Sequence, residues 1–355
     1  MKVSNRLQKL RQKLAEQKLD GIFVSQSDNR YYLSGFDGSA GYLMITPQTA
    51  VLATDFRYIE QGKMEAPDYR IFQISGSTDW FPQLTAELNI NRLAFESAHL
   101  TLAQHKQLTD VLTKASSPLQ LVPVEGLVES LRIIKEPEEI ELMTRAASIG
   151  DRAVEYIKSV VHAGMTELEA AWEMEKFLRE HGSQTVPFEV IFASGPNAAL
   201  PHAKPSSRPL RNGEPIVIDV GARFAGYSSD LTRTICLGTP DATFRKVYDI
   251  VLNAQRTAWD GIREGMNGEE ADALARKFIA TAGYGDAFGH SLGHGVGLAT
   301  HEPPRLGPNS TEWLTSGMVF SIEPGIYLPG WGGVRIEDLV VMEKGKIRSL
   351  SNAPK

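Results

Sequence analysis

The stretch Ile216-Val217-Ile218-Asp219-Val220 places one aspartate inside an apolar, β-branched run, which predicts a buried strand. A second strand-like run, residues 227–237, follows a glycine-containing turn and contains Asp230. If the two strands form a hairpin centred between Phe224 and Ala225, Asp219 and Asp230 face each other directly across the ladder. Like charges at such positions are destabilising, so this fold needs a positive group to offset them.

The same arrangement recurs later in the chain. The run Val319-Phe320-Ser321-Ile322-Glu323 is followed by a turn rich in proline and glycine, and then by Gly333-Val334-Arg335-Ile336-Glu337. A hairpin centred on Gly330 places Glu323 opposite Glu337. Both registers are assumptions, because a slip of one residue moves every side chain to the other face of a strand.

His294 lies between the two hairpins, in the segment Gly293-His294-Gly295-Val296-Gly297. Each of the five residues alone is more simply explained as a structural side chain, such as a strand-edge aspartate or a turn glutamate. Together, the four carboxylates balance the charge of two divalent cations. Carboxylates suit hard ions such as Mn²⁺, and one imidazole makes a borderline ion acceptable. The set therefore predicts a two-metal hydrolytic centre that activates a bound water.

One motif occurs twice in this part of the chain. Gly164-Met165-Thr166-Glu167-Leu168-Glu169 resembles Gly265-Met266-Asn267-Gly268-Glu269-Glu270, 101 residues further on. Each copy contains a capping box, in which a polar side chain and a glutamate three residues later satisfy N–H groups at a helix start. Further matches at the same spacing, such as Phe177 with Phe278, favour an internal duplication over a shared capping signal. We therefore expect two similar halves with a site between them.

The first 125 residues alternate between helix and strand patterns, which predicts an α/β domain. The strand candidates are residues 21–25, 42–45, 50–53, 69–74 and 92–95, and the helix candidates lie near 7–14, 56–65, 78–89 and 101–115. We expect a linker at 126–136 and a second domain at 137–355, whose first helix begins at Pro137.

The composition excludes several classes of protein. Hydrophobic residues make up 42% of the 355 residues and charged residues 23%, so the chain is globular rather than disordered. A net charge of −6 leaves no excess positive charge for nucleic acid. The apolar runs are too short to cross a membrane. The N-terminal segment from Met1 to Arg6 leads into a charged amphipathic stretch, so we expect no signal peptide there. A single cysteine, Cys236, fits a reducing compartment, so we expect a cytoplasmic protein.

The motifs resemble those of the pita-bread metallopeptidases, a family that includes methionine aminopeptidases, aminopeptidase P and prolidase. The resemblance covers about residues 135–350 and rests on five stretches: Ile218-Asp219-Val220-Gly221-Ala222, Ser229-Asp230-Leu231-Thr232-Arg233-Thr234, Gly293-His294-Gly295-Val296-Gly297, Ser321-Ile322-Glu323-Pro324-Gly325 and Arg335-Ile336-Glu337-Asp338. It implies an α+β catalytic domain of two pseudo-symmetric halves.

The resemblance also implies a role for each site residue. Asp219 would bind one metal ion, Asp230 and Glu337 would bridge two, and His294 and Glu323 would hold the other. Glu323 would also take a proton from the bridging water. Four further residues match positions that contact the substrate, move protons or orient a ligand: His202, His301, His290 and Arg335, the last beside Asp219.

The N-terminal domain resembles that of creatinase, prolidase and aminopeptidase P. Its segments Tyr32–Gly41 and Thr54–Tyr58 are most similar to aminopeptidase P. We therefore expect an Xaa-Pro aminopeptidase that uses two Mn²⁺ ions, or Co²⁺ or Zn²⁺ in their place, and acts as a homodimer on proline-containing peptides. The alternatives are prolidase, for which Arg305 would bind the proline carboxylate, and a non-catalytic peptide-binding scaffold. The intact ligand set argues against creatinase and against the scaffold.

Overall fold

The computed structural model describes residues 3–355, which divide into two units with the boundary between Arg132 and Ile133. Met1 and Lys2 lie outside the described residues. They begin the N-terminal segment for which we expect no signal peptide. None of the helices within residues 3–355 is long and apolar enough to span a membrane. The domain limits given above stay a prediction.

The first unit is an α/β domain, as predicted. Its helices are α1 (Val3–Glu16), α2 (Ser27–Ser34), α3 (Ile59–Glu65), α4 (Trp80–Glu87), α5 (Leu102–Lys114) and α6 (Glu129–Arg132). Its strands are β1 (Gly21–Val24), β2 (Tyr42–Ile45), β3 (Ala50–Thr54), β4 (Arg70–Gln73), β5 (Arg92–Glu96) and β6 (Gln120–Val124). They form one mixed sheet in the order β4-β3-β2-β1-β5-β6.

Three elements of this unit, α2, β6 and α6, are missing from the predicted set. Helix α2 has the sequence Ser-Asp-Asn-Arg-Tyr-Tyr-Leu-Ser, most of whose residues have weak helix propensity. Its start is fixed by the Gln26 side chain, which accepts a hydrogen bond from the Asn29 N–H. Strand β6 contains Pro123 and lies at the edge of the sheet, the position where a strand tolerates proline. Helix α6 lies inside the segment 126–136 that we expect to be a linker.

The second unit is an α+β domain. Its helices are α7 (Pro137–Val160), α8 (Glu167–Glu180), α9 (Ala242–Gly261) and α10 (Gly268–Thr281). Its strands are β7 (Ile191–Ser194), β8 (Pro215–Val220), β9 (Arg223–Phe224), β10 (Tyr227–Ser228), β11 (Leu231–Cys236), β12 (Gly293–Gly295), β13 (Glu302–Leu306), β14 (Val319–Ile322), β15 (Gly325–Leu328), β16 (Gly332–Arg335), β17 (Asp338–Glu343) and β18 (Lys346–Ser349). The larger sheets have the orders β11-β8-β7 and β13-β12-β14-β17-β18.

The internal duplication is confirmed by the backbone. Helices α8 and α10 both begin with a complete capping box. The glycine before each box has positive φ, 94° at Gly164 and 84° at Gly265. Their N–H groups donate to equivalent carbonyls, at 2.9 Å to Leu210 and at 2.8 Å to Leu314. Each half also has its own apolar core, one around α7 and α8 and one around α9 and α10.

The first hairpin differs from the predicted register. Asp219 pairs with Thr232 rather than with Asp230. The turn falls at Ala225 and Gly226, whose φ values of 47° and 81° suit the two-residue hairpin turn that matches strand twist. The observed register moves the partner of Asp219 by two residues, from Asp230 to Thr232. Asp230 therefore stays on the same face of the hairpin as Asp219 and lies diagonal to it.

The second hairpin has the predicted register. Gly325 pairs with Arg335, and Ile322 pairs with Asp338 on the other side. Both ladders therefore place Glu323 opposite Glu337, at the junction where β14 continues into β15 and β16 into β17.

Candidate metal centre

The structure brings all five predicted metal ligands, Asp219, Asp230, His294, Glu323 and Glu337, to the wall of one cavity in the second unit. Its volume is about 690 Å³, within the range of small-molecule sites. Three of them, Asp230, His294 and Glu337, each offer one ligand atom within 4.8 Å of the other two.

His294 presents its Nε2 atom to the carboxylates. Nε2 lies 3.3 Å from Glu323 Oε1 and 3.6 Å from Asp230 Oδ2. The other ring nitrogen, Nδ1, lies 3.1 Å from the Gly295 carbonyl oxygen, which can only accept a hydrogen bond. Nδ1 therefore carries a proton, and Nε2 is the atom available to a cation.

The chemistry of the carboxylates fits divalent cations. Among residues 3–355, the buried atoms Asp219 Oδ1 and Glu337 Oε1 have no hydrogen-bond partner. Each residue's other oxygen is occupied, by Arg335 Nη2 at 2.6 Å and by Thr232 Oγ1 at 2.6 Å. Orphaned buried acceptors are costly, so their grouping indicates that positive charge belongs here.

The electrostatics agree with this interpretation. Burial, followed by the neighbouring carboxylates, raises the pKa values of Asp230 and Glu337 well above their usual range. Burial also raises the pKa of Glu323 to about 7, while Ser321 Oγ donates to its Oε1 at 2.9 Å. Carboxylates held in this way bind cations tightly, because a cation removes the mutual repulsion of the ionised forms.

Arg335 links the two halves of the unit at this site. Its guanidinium donates to Asp219 Oδ2, to Thr232 Oγ1 at 3.0 Å and to the Tyr327 hydroxyl at 2.8 Å. It also donates to the Pro201 carbonyl at 3.2 Å, one residue before His202. The predicted neighbourhood of Arg335 and Asp219 is therefore observed.

The three further histidines predicted for the site also line the cavity. His202 and His301 are exposed to it, and the His301 ring lies 4.1 Å from the His294 ring. Desolvation, and then the neighbouring imidazoles His294 and His202, lower the pKa of His301 to about 4. His301 is therefore neutral at physiological pH.

Tyr327 is a site residue that the sequence analysis did not identify. Because its hydroxyl accepts from Arg335, its proton is directed to His290 Nε2 at 2.9 Å. His290 Nδ1 then donates to the Ser291 carbonyl at 2.8 Å. His290 is thus held neutral, and burial lowers its pKa to about 4. The sequence signal that could have identified Tyr327 is the alternation of side chains along a strand. Tyr327 lies on the same face of β15 as Gly325, and Gly325 pairs with Arg335.

The pKa of His290 predicts a pH-dependent contribution to stability. The unfolded histidine binds a proton near pH 6.5 and the folded one only near pH 4, so the free energy of unfolding falls as the pH drops through this window. His290→Gln removes this loss. We expect metal-free wild-type protein to lose about 2 kcal/mol more than the variant between pH 7 and pH 4.5, measured by urea unfolding. The exposed control His162→Gln should lose as much as wild type, and an unchanged pH dependence in His290→Gln would contradict the buried neutral state.

Comparisons with known proteins agree with the site. The model of the creatinase/prolidase N-terminal domain matches residues 6–134, and that of metallopeptidase family M24 matches residues 141–344. The Xaa-Pro dipeptidase of Pyrococcus horikoshii is 34% identical over 350 residues, which are 98% of this chain and 97% of that protein.

Two solved structures extend the likeness to three dimensions. An Xaa-Pro dipeptidase from Bacillus anthracis has a TM-score of 0.96 at 39% identity, covering 99% of this chain and 98% of its own. An X-Pro aminopeptidase from Thermotoga maritima has a TM-score of 0.89 at 34% identity, covering 97% and 98%. With both domains matched and the carboxylates and histidine gathered at one cavity, the chain belongs to metallopeptidase family M24 and has the pita-bread catalytic fold.

Proposed function

We propose that the protein is a metal-dependent peptidase that cleaves the bond between a first residue and a following proline, with Xaa-Pro dipeptides as preferred substrates. The observation that carries this preference is the pairing of Arg305 with His294 in the β12–β13 ladder. Directly paired residues have Cβ atoms about 4.5–5.5 Å apart on one face of a sheet. Arg305 is exposed and lines the same cavity as the metal ligands.

A guanidinium on the wall of this cavity suits a dipeptide. In an Xaa-Pro dipeptide the free carboxylate lies on the proline itself, directly after the bond to be cleaved. Arginine binds carboxylates in a planar, two-bond geometry, which gives both affinity and orientation. The named dipeptidase relatives support the same preference.

Each residue of the site has its own role in the proposed reaction. Asp219, Asp230, His294, Glu323 and Glu337 would hold two divalent cations. When bound, such cations lower the pKa of a coordinated water and polarise the scissile carbonyl. Glu323 would accept the proton of the attacking water. His202 and His301 donate to the carbonyl oxygen and pass a proton to the leaving proline nitrogen, and Arg335 orients Asp219.

Three narrower expectations belong to the same proposal. Mn²⁺ is the proposed metal because four of the five donors are carboxylates. We also propose a homodimer, on the basis of the family resemblance. The single cysteine supports a cytoplasmic location.

Xaa-Pro aminopeptidase activity is the second candidate. It is supported by the likeness to the Thermotoga maritima X-Pro aminopeptidase and by the two N-terminal segments that resemble aminopeptidase P. It predicts that peptides longer than two residues are cleaved as well as dipeptides are.

A substrate panel with one variant separates the two activities. Mn²⁺-loaded protein should cleave an Xaa-Pro dipeptide more efficiently than Xaa-Pro-amide or an Xaa-Pro-Xaa tripeptide, and should leave Xaa-Ala-Xaa intact. Arg305→Gln should raise KM for the dipeptide about 10- to 100-fold, because a charged hydrogen bond is lost, and should barely change KM for the amide.

The exposed Arg256→Gln on α9 is the matched control and should behave as wild type. A tripeptide cleaved as well as the dipeptide, with no effect of Arg305→Gln, would favour the aminopeptidase. If no proline peptide is turned over with metal, the non-catalytic scaffold becomes the better explanation.

A further inference from the structure

Glu167, the first residue of α8, is a fully buried carboxylate outside the metal centre. Its Oε1 accepts from the Ser194 N–H at 2.7 Å and from Ser194 Oγ at 2.8 Å. Its Oε2 accepts from the Ser206 N–H at 3.1 Å and from Ser206 Oγ at 2.6 Å. The Asn197 side-chain amide also donates to Oε2, at 3.0 Å. These bonds are charge-assisted and therefore stronger than neutral ones.

These partners enclose the segment that carries His202. Ser194 ends β7, and Ser206 lies four residues after His202, so Glu167 fastens both ends of segment 194–206. Arg335 holds its middle through the Pro201 carbonyl. The segment also rests closely on β16, since a methyl group on Gly333 would lie 2.2 Å from the Ala198 carbonyl oxygen.

The duplication shows that the helix start itself does not need this carboxylate. The residue 101 positions later is Gly268, and α10 begins there with the same capping box. A side chain at Gly268 would collide with the Arg305 carbonyl oxygen, 2.1 Å from its first carbon. The first half therefore carries a buried carboxylate that its counterpart lacks, at a position from which it reaches the His202 segment.

We propose that Glu167 is a positioning residue that fixes His202 against the substrate by clamping segment 194–206. Because Glu167 is 0% exposed, it acts through His202 and not on the substrate. The proposal rests on the proposed function for its kinetic part, but the clamp itself is a property of the fold.

Glu167→Gln is a sharp probe of the clamp. Each carboxylate oxygen faces one backbone N–H, that of Ser194 or that of Ser206, and a backbone N–H cannot reverse its role. An amide has a single oxygen, so either orientation sets its NH₂ group against one of these donors. Glu169→Gln is the matched control, since it makes the same change two residues later, in the exposed capping box of the same helix.

The kinetic test is a double-mutant cycle with His202→Ala. Glu167→Gln should lower kcat for an Xaa-Pro dipeptide about 10- to 100-fold with KM little changed, the effect expected when a catalytic group moves by about 1 Å. Glu169→Gln should stay within about twofold of wild type. In the His202→Ala background, Glu167→Gln should cause no further loss beyond about twofold, because coupled residues are not additive. An equal loss in both backgrounds would overturn the proposal.

Hydrogen–deuterium exchange gives a readout that needs no substrate. Exchange in segment 194–206 should be at least about tenfold faster in Glu167→Gln and unchanged in Glu169→Gln. Unchanged exchange in Glu167→Gln would overturn the clamp even in an active enzyme. If exchange rises but wild type cleaves no proline peptide, the clamp stands and the proposed function fails. Should Glu167→Gln not fold, Ser206→Ala removes the Oγ bond to Glu167, together with the longer bonds that Oγ accepts from the Asn197 amide and the Arg208 N–H. It should change both readouts in the same direction by about threefold.

Discussion

Replacing Asp230 by Asn is expected to lower kcat/KM for an Xaa-Pro dipeptide by at least about 10³-fold. Asp230 is 5% exposed and shares its 4.8 Å ligand cluster with His294 and Glu337. The amide removes a negative charge from the place where divalent cations would bind, so the affinity for Mn²⁺ should fall as well. Kinetics with Mn²⁺-loaded protein and calorimetric titration of the metal measure both effects.

The metal-free stability of the same variant should change in the opposite direction. Burial and the carboxylates of Glu337, Asp219 and Glu323 raise the pKa of Asp230, which means that its ionised form opposes folding. At pH 8, Asp230→Asn in chelator should unfold at the same temperature as wild type or higher. The exposed Asp249→Asn on α9 is the matched control. Turnover within tenfold of wild type would show that Asp230 does not hold a required metal.

Removing the metal is expected to abolish turnover and to make the fold sensitive to alkaline pH. In metal-free protein, Asp230, Glu323 and Glu337 retain protons that the unfolded chain has already released. The free energy of unfolding therefore falls as the pH rises through the folded pKa values. With a pKa of about 7, Glu323 alone contributes a loss of about 1 kcal/mol between pH 6.5 and 8.5.

Mn²⁺ should reverse this trend, because a cation binds the ionised carboxylates and its stabilisation grows with the ratio of free metal to Kd. Thermal unfolding with and without Mn²⁺ at pH 6.5 and 8.5 measures the effect, and the increase in Tm should be larger at pH 8.5. Glu323→Gln should flatten the metal-free pH dependence, while the exposed Glu180→Gln should not. Equal stability of metal-free protein at both pH values would contradict the close grouping of these carboxylates.

The grouping of the candidate metal ligands could be predicted from sequence because these residues follow strong local patterns. Apolar strands with a single acid, and a turn that fixes the register, were enough to place Glu323 opposite Glu337. The first hairpin shows the limit of this reasoning. A two-residue turn can be placed at Phe224-Ala225 or at Ala225-Gly226. The structure has the second turn, which requires Ala225 to adopt a positive φ that is unusual for a residue with a side chain.

Two supporting residues, Tyr327 and Glu167, could not be predicted, because their partners are distant in sequence. The hydroxyl of Tyr327 acquires its role only when Arg335 and His290 pack against it. Glu167 looks in sequence like an ordinary first-turn acid of a capped helix, which is favourable on its own. Its burial and the hydrogen bonds that it accepts from five donor groups depend on the later fold of segment 194–206.

The bond between Thr232 and Glu337 joins residues 105 positions apart, and that between Asp219 and Arg335 joins residues 116 apart. On a ribosome, the hairpin that carries Asp219 and Asp230 leaves the exit tunnel long before β16 and β17 are made. Closing such long loops is slow, so the centre assembles only after nearly all of the second unit has emerged. A nascent chain that ends before Arg335 therefore lacks the guanidinium that pairs with Asp219, and the candidate metal site is complete only once synthesis has passed Glu337.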